Sequence, residues 1–592
     1  MFSRIRTVFG HRYILSGIIF SALILTLPSL WNGICCDDYF IRGTVLQQEN
    51  IPGTPASAWD AFAFVKVDPE IIRRGRETGL YPWWMPDEFQ MAFWRPLACL
   101  THWLDFRFFA EFPWLMHFHN ILWYALLAYV VTLAFRRFIP VSWVAGLAAF
   151  MYVADEARGV GVGWLAGRSA ILATILGLLV LLAHDRWRRS RWKPGAVLAF
   201  VLLAVGLFTA EATLSICAYL LSYALFLDKG KYRVRIGALL PYGAVVVLWR
   251  IFYNHLGYGV INSGLYIDPG QDPGHFIIEG TSRLIMLLYT QFAFPDAGLW
   301  TFTQPLWSFF CFVFAVMVMG LITWILWPVI RGDRTARFFA FGLLFSALPM
   351  CTTLPAGRLL FFVGFGGMGL VAVFLATVFE KRKELLSVRP YTAKGLAVLF
   401  TVIHLILSPL LLPPAMFFPY FMGRPNILAA KTVPEPLSPD ERFVFVNVPS
   451  SLMIGYLPYI REVLGYSVPI KKWLLSADFS SLEVFRNDDS TLTIKPENGF
   501  FKSPWAQTFC NTRIPVKAGF ERKLPGLSVR VPAVTEDGRP AEVRYEFSVP
   551  LEDRSLRWLI WSAEGFVPFS LPAPGETVYV KRLPLLWWLK FS

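Results

Sequence analysis

The residues that could do chemistry in this chain are carboxylates, arginines and one histidine set beside long apolar runs. Asp37 and Asp38 follow the first run, in CCDDYFIR. Arg95 stands in FWRPL (93–97), Asp105 lies further on, and His119 and Asn120 (FHN, 118–120) enter the second run. Asp155 and Glu156 follow the third run, and Arg168 ends WLAGR (164–168) where the fourth opens. Glu211 sits between the fifth and sixth, and Arg358 lies in PAGRLLFF (355–362), which opens the tenth. Charges near membrane depth are costly and tend to line a site or pathway. Arg168 and Arg358 suit phosphate, because a guanidinium can grip it bidentately. These groups gather at one end of several runs, which predicts an active site on that face.

Composition says what positions them. The 592 residues are 55% hydrophobic, 16% aromatic and 16% charged, with a mean hydropathy of +0.50. Soluble domains run at roughly 45–50% apolar and about 25% charged. An ordinary soluble enzyme, a disordered chain, a repeat solenoid and a disulfide-framed secreted domain are all excluded. A spanning helix needs about 20 mostly apolar residues. Such runs fall near 14–31, 116–135, 141–154, 169–184, 195–210, 212–227, 236–253, 306–328, 338–352, 359–379 and 395–413, about eleven in all. The stretch 284–294 reads as re-entrant or interfacial.

Basic residues orient the runs. Arg4, Arg6 and Arg12 precede the first, and Arg136 and Arg137 follow the second. Further clusters stand at 186–193, 229–235, 331–337 and 381–394. Each cluster falls on an alternate loop, as the positive-inside rule demands. The N-terminus is therefore expected in the cytoplasm and the C-terminal tail outside. The net charge of +14 is a topology signal and not a nucleic-acid footprint. The first run resembles a signal peptide, but no small-residue cleavage site follows, so it reads as an uncleaved helix.

Two regions stand apart. Residues 32–115 form a long external loop with short helices expected near 69–78 and 90–110. From about 425 to 592 the alternating stretches 442–448, 492–496, 527–534 and 543–549 predict a mainly β extramembrane domain. The fold class is thus a polytopic α-helical membrane domain (1–424) with a β-rich C-terminal domain (425–592). Tyr456, Tyr459, Trp505 and Trp558 of that domain could stack on sugars, although aromatics in β-domains are more often core. The seven cysteines lack metal-ligand spacing, and adjacent Cys35 and Cys36 imply no disulfide framework.

The order of these motifs resembles the GT-C class of membrane glycosyltransferases. It is similar to protein O-mannosyltransferases, tetratricopeptide-bearing transmembrane mannosyltransferases and lipid A aminoarabinose transferases. The resemblance rests on Asp37-Asp38, Arg95-Pro96-Leu97 with Asp105, Phe118-His119-Asn120, Trp164 to Ser169, Glu211 and Arg358 to Phe362, and covers roughly 14–380. It implies a polyprenyl-phosphate-linked sugar as donor, and an acid of the first external loop as base toward a protein, glycan or lipid acceptor. Such a transfer needs a base within hydrogen-bond reach of the acceptor and cations on the departing phosphate. Asp37 is favoured as base with Asp38 as partner; Arg168 and Arg358 are the phosphate ligands. The bland alternatives are a helix cap for the aspartates, headgroup snorkelling for the arginines, loop packing for Arg95, a helix-start pair for His119 and Asn120, and an ion pair for Glu211.

Asp155 and Glu156 occupy the second external loop, where tetratricopeptide-bearing relatives carry His-Pro-x-His-x-Glu. The histidines and the later glutamate are missing here. A divalent metal ion is a candidate cofactor on these carboxylates, and nothing requires one. The expected setting is a bacterial inner membrane with the C-terminal domain in the periplasm. The rival readings are a transporter or flippase of lipid-linked sugars, an O-antigen ligase or polymerase, and a structural scaffold. Transporters tend to show internal repeats, and none is visible.

Overall fold

Apolar runs become helices because a single segment in a lipid interior satisfies its own backbone hydrogen bonds only by coiling into a helix. The computed structural model describes residues 2–48, 51, 53–302, 305–380, 390–438, 440–469, 471–478, 480–511 and 516–583. The basic residues Lys381, Arg382, Lys383 and Arg389 lie outside the described residues. Packing divides the chain into two units. One takes in the chain up to Ile34, Trp94–Leu256 and Asp272–Tyr420; the other takes in Cys35–Phe93, Gly257–Gln271 and the chain from Phe421 on.

The first unit is helical, and its architecture is that of a polytopic membrane protein. Among the described residues, eight helices are long and apolar enough to cross a membrane, from Ile14–Trp31 to Pro390–Thr432. Ser142–Val153, Pro194–Leu207 and Glu211–Phe226 are apolar helices of only 10–17 residues. The eleven expected runs are thus all helical, and eight have the length to span. The last extends well past 413, through a π-turn at Ile403–Leu407. The 284–294 stretch lies mostly in the helix Pro273–Phe292.

At the centre of this unit runs Phe361–Phe379, buried from Phe361 to Thr377. Its glycines let neighbours approach, the usual device where lipid supplies no hydrophobic drive between helices. A Cβ added at Gly366 would lie 2.6 Å from the Tyr219 hydroxyl and 2.7 Å from the Phe339 carbonyl. The Gly366 N–H itself donates to that hydroxyl, 2.8 Å away.

The second unit is β-rich. Strands Ala63–Val65, Gln90–Ala92 and Gly259–Ile261 form a small antiparallel sheet. A six-stranded antiparallel sheet runs in the order Thr577–Val580, Leu482–Arg486, Thr491–Pro496, Pro540–Phe547, Leu527–Val534, Glu521–Leu524. A four-stranded sheet runs Gly565–Pro568, Leu556–Ser562, Arg442–Val448, Lys472–Ala477. Here Arg442–Val448 pairs parallel with both neighbours. Parallel neighbours need a crossover, and the helix Ser451–Val463 lies between Arg442–Val448 and Lys472–Ala477 in sequence. That helix had no signal in the alternation that marked the strands. The loop helices expected near 69–78 and 90–110 are Pro69–Thr78 and Pro96–Phe109.

The division differs from the expected one. The external loop was placed with the membrane domain, yet Cys35–Phe93 packs in one unit with the β-rich C-terminal chain. The unit boundary near Phe421 falls inside the helix Phe418–Thr432.

Candidate active site

In the second unit the adjacent aspartates part company. Both lie in the first turn of the helix Asp37–Val45, where the helix dipole favours negative charge. Asp38 is 1% exposed and its Oδ2 accepts the Cys35 N–H at 3.0 Å, closing the turn into the helix. Asp37 is half-buried and its Oδ1 accepts a short hydrogen bond from the Tyr456 hydroxyl. Burial and the negative charge of Asp37 push the Tyr456 phenol far up, so Tyr456 keeps its proton and donates.

In the first unit Asp105, His119, Asn120 and Arg168 meet in a closed network. Arg168 is fully buried; its Nη2 sits 2.5 Å from Asp105 Oδ2. The rest of its fork points at the Asn120 side chain (3.4 Å) and the carbonyls of Thr101 (3.3 Å) and Met116 (3.2 Å). Trp123 donates to His119 Nε2 at 2.8 Å, so His119 Nδ1 carries the proton and donates to Asp105 Oδ1 at 2.7 Å. Burial raises the Asp105 carboxyl, but Arg168 and the His119 bond outweigh it and hold the group below the usual range. Asn120 also donates to the Val162 carbonyl at 2.6 Å. Arg168, the expected donor-phosphate ligand, lies here in a buried ion pair with Asp105.

A second group forms around Asp155 and Glu156. Asp155 Oδ1 accepts the Ala157 N–H at 3.0 Å, and Arg158 Nη2 lies 3.5 Å from its Oδ2. The fully buried Arg158 guanidinium lies over the Tyr152 ring at 4.6 Å and the Phe361 ring at 5.2 Å. Gly364 makes its room, since a Cβ there would stand 1.8 Å from Arg158 Nη2. Asp296 ties a further loop in, accepting the N–H groups of Gly298 and Gly357, each at 2.8 Å. Arg358 follows Gly357, with its guanidinium 5.9 Å from the Trp164 ring centroid. A Cβ at Gly357 would lie 3.2 Å from Ala157 Cα, so Asp155, Glu156, Trp164 and Arg358 share one neighbourhood.

Burial, and then the charge of Asp155, push the Glu156 carboxyl up to about 7. The protonated form is favoured by folding, so its contribution is full below the unfolded value of 4.5 and lost as pH rises through about 7. Glu156→Gln should therefore gain thermal stability over wild type progressively across that window, with no gain below it. Melting curves of both proteins in nanodiscs that stay parallel with pH would contradict this.

A resident metal does not fit these residues. The Arg158 cation already faces Asp155, and burial raises the Glu156 carboxyl to about 7, so that it is only partly ionised at neutrality. Among the described residues, no three His, Cys, Asp or Glu side chains come together as a metal centre needs.

Arg95 and Glu211 form a pair of their own, Nη2 to Oε2 at 2.8 Å, and Tyr253 donates to the other Glu211 oxygen at 3.3 Å. Of the aromatics expected to stack on sugars, Trp558 is buried with its indole N–H on the Leu551 carbonyl. Tyr459 is buried with its hydroxyl 3.3 Å from that of Thr54, and Trp505 is half-buried. Sequence reasoning set no role on Arg158 or Asp296, and did not pair Tyr456 with Asp37. Arg158 stands with Asp155 and Glu156 after the third apolar run and Asp296 flanks the 284–294 stretch; nothing local pairs Tyr456 with Asp37.

The fold class is thus a polytopic helical membrane unit with a β-rich C-terminal unit. No family model matches the chain, and no curated protein matches it in sequence. Among solved structures it is similar to the Archaeoglobus fulgidus oligosaccharyltransferase tethered with an acceptor peptide, at 13% identity and a TM-score of 0.42 over 79% of this chain and 64% of that one. The archaeal oligosaccharyltransferase AglB from Archaeoglobus fulgidus, in complex with an inhibitory peptide and a dolichol-phosphate, gives 13% identity and a TM-score of 0.43 over 78% and 64%. ArnT from Cupriavidus metallidurans bound to undecaprenyl phosphate gives 12% identity and 0.36 over 75% and 84%. The chain spans somewhat less than two thirds of the archaeal enzyme it matches.

Proposed function

We propose that the chain is a GT-C-type membrane glycosyltransferase that moves a sugar from a polyprenyl-phosphate donor to a protein, glycan or lipid acceptor outside the cytoplasm. The observation that carries this reading is Asp37, a half-buried carboxylate directly after the first apolar helix, fixed by a tyrosine hydroxyl. In the proposed step Asp37 takes the proton of an acceptor hydroxyl. The acceptor oxygen then bonds to the anomeric carbon as that carbon's bond to the phosphate oxygen breaks, and polyprenyl phosphate leaves with the bonding pair. Attack opposite the leaving phosphate inverts the anomeric centre. Arg358 holds the phosphate, a role for which Arg168 is replaced by its ion pair with Asp105. The alternate placement of basic clusters supports a cytoplasmic N-terminus in a bacterial inner membrane with the C-terminal unit in the periplasm.

The test is the purified full chain in lipid nanodiscs with radiolabelled mannose and glucose on polyprenyl phosphate. Label released to acceptor or to water supports the reading. Label that crosses a sealed bilayer without bond cleavage would replace it with transport. Arg358→Ala should weaken donor binding by about 10- to 100-fold, the loss of a charge-assisted contact, and unchanged donor affinity would remove Arg358 from the phosphate site.

A further inference from the structure

We propose that Tyr456 is a positioning residue for Asp37, so that the C-terminal chain completes the catalytic loop rather than only docking an acceptor. The inference rests on the reading of Asp37 as base, and goes beyond it by assigning the C-terminal chain a part in the reaction. Tyr456 sits on the helix Ser451–Val463, 419 residues from the aspartate it meets. One helical turn on, Tyr459 packs edge-on to Phe40, with ring centroids 5.4 Å apart and planes at 67°. A Cβ added at Gly43 would lie 2.6 Å from the Tyr459 ring. Two aromatic residues at i and i+3 share one face of a helix, and here that face lies along Asp37–Val45.

A second element seats the other side of the loop. Asn426 donates to the Cys36 thiol sulfur at 3.9 Å, and a Cβ at Gly423 would stand 2.8 Å from Cys35 Cβ. Cys36 itself has φ of 49°, a left-handed conformation that a side-chain-bearing residue holds only when its surroundings impose it. Two helices of the C-terminal chain and the Asp38 bond to Cys35 N–H are those surroundings.

The hydroxyl does one thing packing alone cannot. By donating to Oδ1 it fixes the plane of the Asp37 carboxylate and stabilises its charge, which sets where a proton can be received. The phenol holds its own proton, so it orients the base and does not replace it.

The experiment compares wild type, Tyr456→Phe, Tyr459→Phe and Asp37→Asn in nanodiscs with the same two polyprenyl-phosphate sugars, reading kcat, KM and melting temperature. Tyr456→Phe keeps the ring and removes the hydroxyl. It should lower kcat by about 10- to 100-fold, as expected for one hydrogen bond to a charged group, with KM and melting temperature close to wild type. Tyr459→Phe loses only a hydroxyl that meets Thr54 and should keep wild-type kcat. Full kcat in Tyr456→Phe beside an inactive Asp37→Asn would overturn the positioning role and leave the base standing. An equal loss in both tyrosine variants, tracking melting temperature, would overturn it in favour of packing. An active Asp37→Asn, or a wild type that turns over neither donor, would bring down the proposed reaction and this inference with it.

Discussion

Asp37→Asn is expected to lower glycosyl transfer by about 100- to 10,000-fold, the usual contribution of a positioned general base. The swap keeps the side chain's size and its place in the first helical turn, and removes the charge proposed to receive the acceptor's proton. The fold should survive, because an amide oxygen can still accept from Tyr456. Asp38→Asn should read differently. Asp38 is buried on the Cys35 N–H, so weakening that charge-assisted cap should cost about 1 kcal/mol of stability, with activity lost only as far as the turn loosens. Side-by-side turnover and melting curves separate the two residues by which property each loses. Full turnover in both variants would place the chemistry elsewhere.

How much of this was legible follows from where the constraint is local. A bilayer demands long apolar helices, so the runs that became Phe361–Phe379 and Pro113–Phe138 announce themselves in composition. Strands such as Leu527–Val534 and Pro540–Phe547 alternate because only one face is buried. The central strand Arg442–Val448 is buried almost throughout, as a strand with parallel neighbours on both sides should be, so the alternation expected of 442–448 gives its bounds but not its two-sided burial. What was not legible depends on partners far apart in sequence. Arg168 and Arg358 look alike, each beside the start of an apolar helix, and only the arrival of Asp105 beside Arg168 separates them. The sequence marks Tyr456 as an aromatic able to stack on a sugar; that it meets Asp37 is a fact of tertiary structure. The Ser451–Val463 helix carries Pro458 within it, which weakens any helical reading of that stretch.

The Asp105–Arg168 pair should prove the most fragile point of the helical unit. Its two side chains are 1% and 0% exposed, and removing one partner leaves the other charge buried without its counter-ion, held only by His119 on the Asp105 side or by Asn120 and two carbonyls on the Arg168 side. Asp105→Asn or Arg168→Met alone should therefore cost about 3–5 kcal/mol, read as a large fall in melting temperature in nanodiscs. His119 would suffer with Asp105, since its Nδ1 proton loses its charged acceptor. Replacing both partners, as Asp105→Leu with Arg168→Met, should recover much of the loss, because a buried pair exchanged for apolar groups of similar size is often neutral or stabilising. The same series tests the division of labour between the arginines. If Arg168→Met kept its melting temperature and lost donor affinity instead, Arg168 would belong on the phosphate. If it melted early and the double variant regained both stability and donor binding, the guanidinium serves the fold, and Arg358 is left to hold the leaving group.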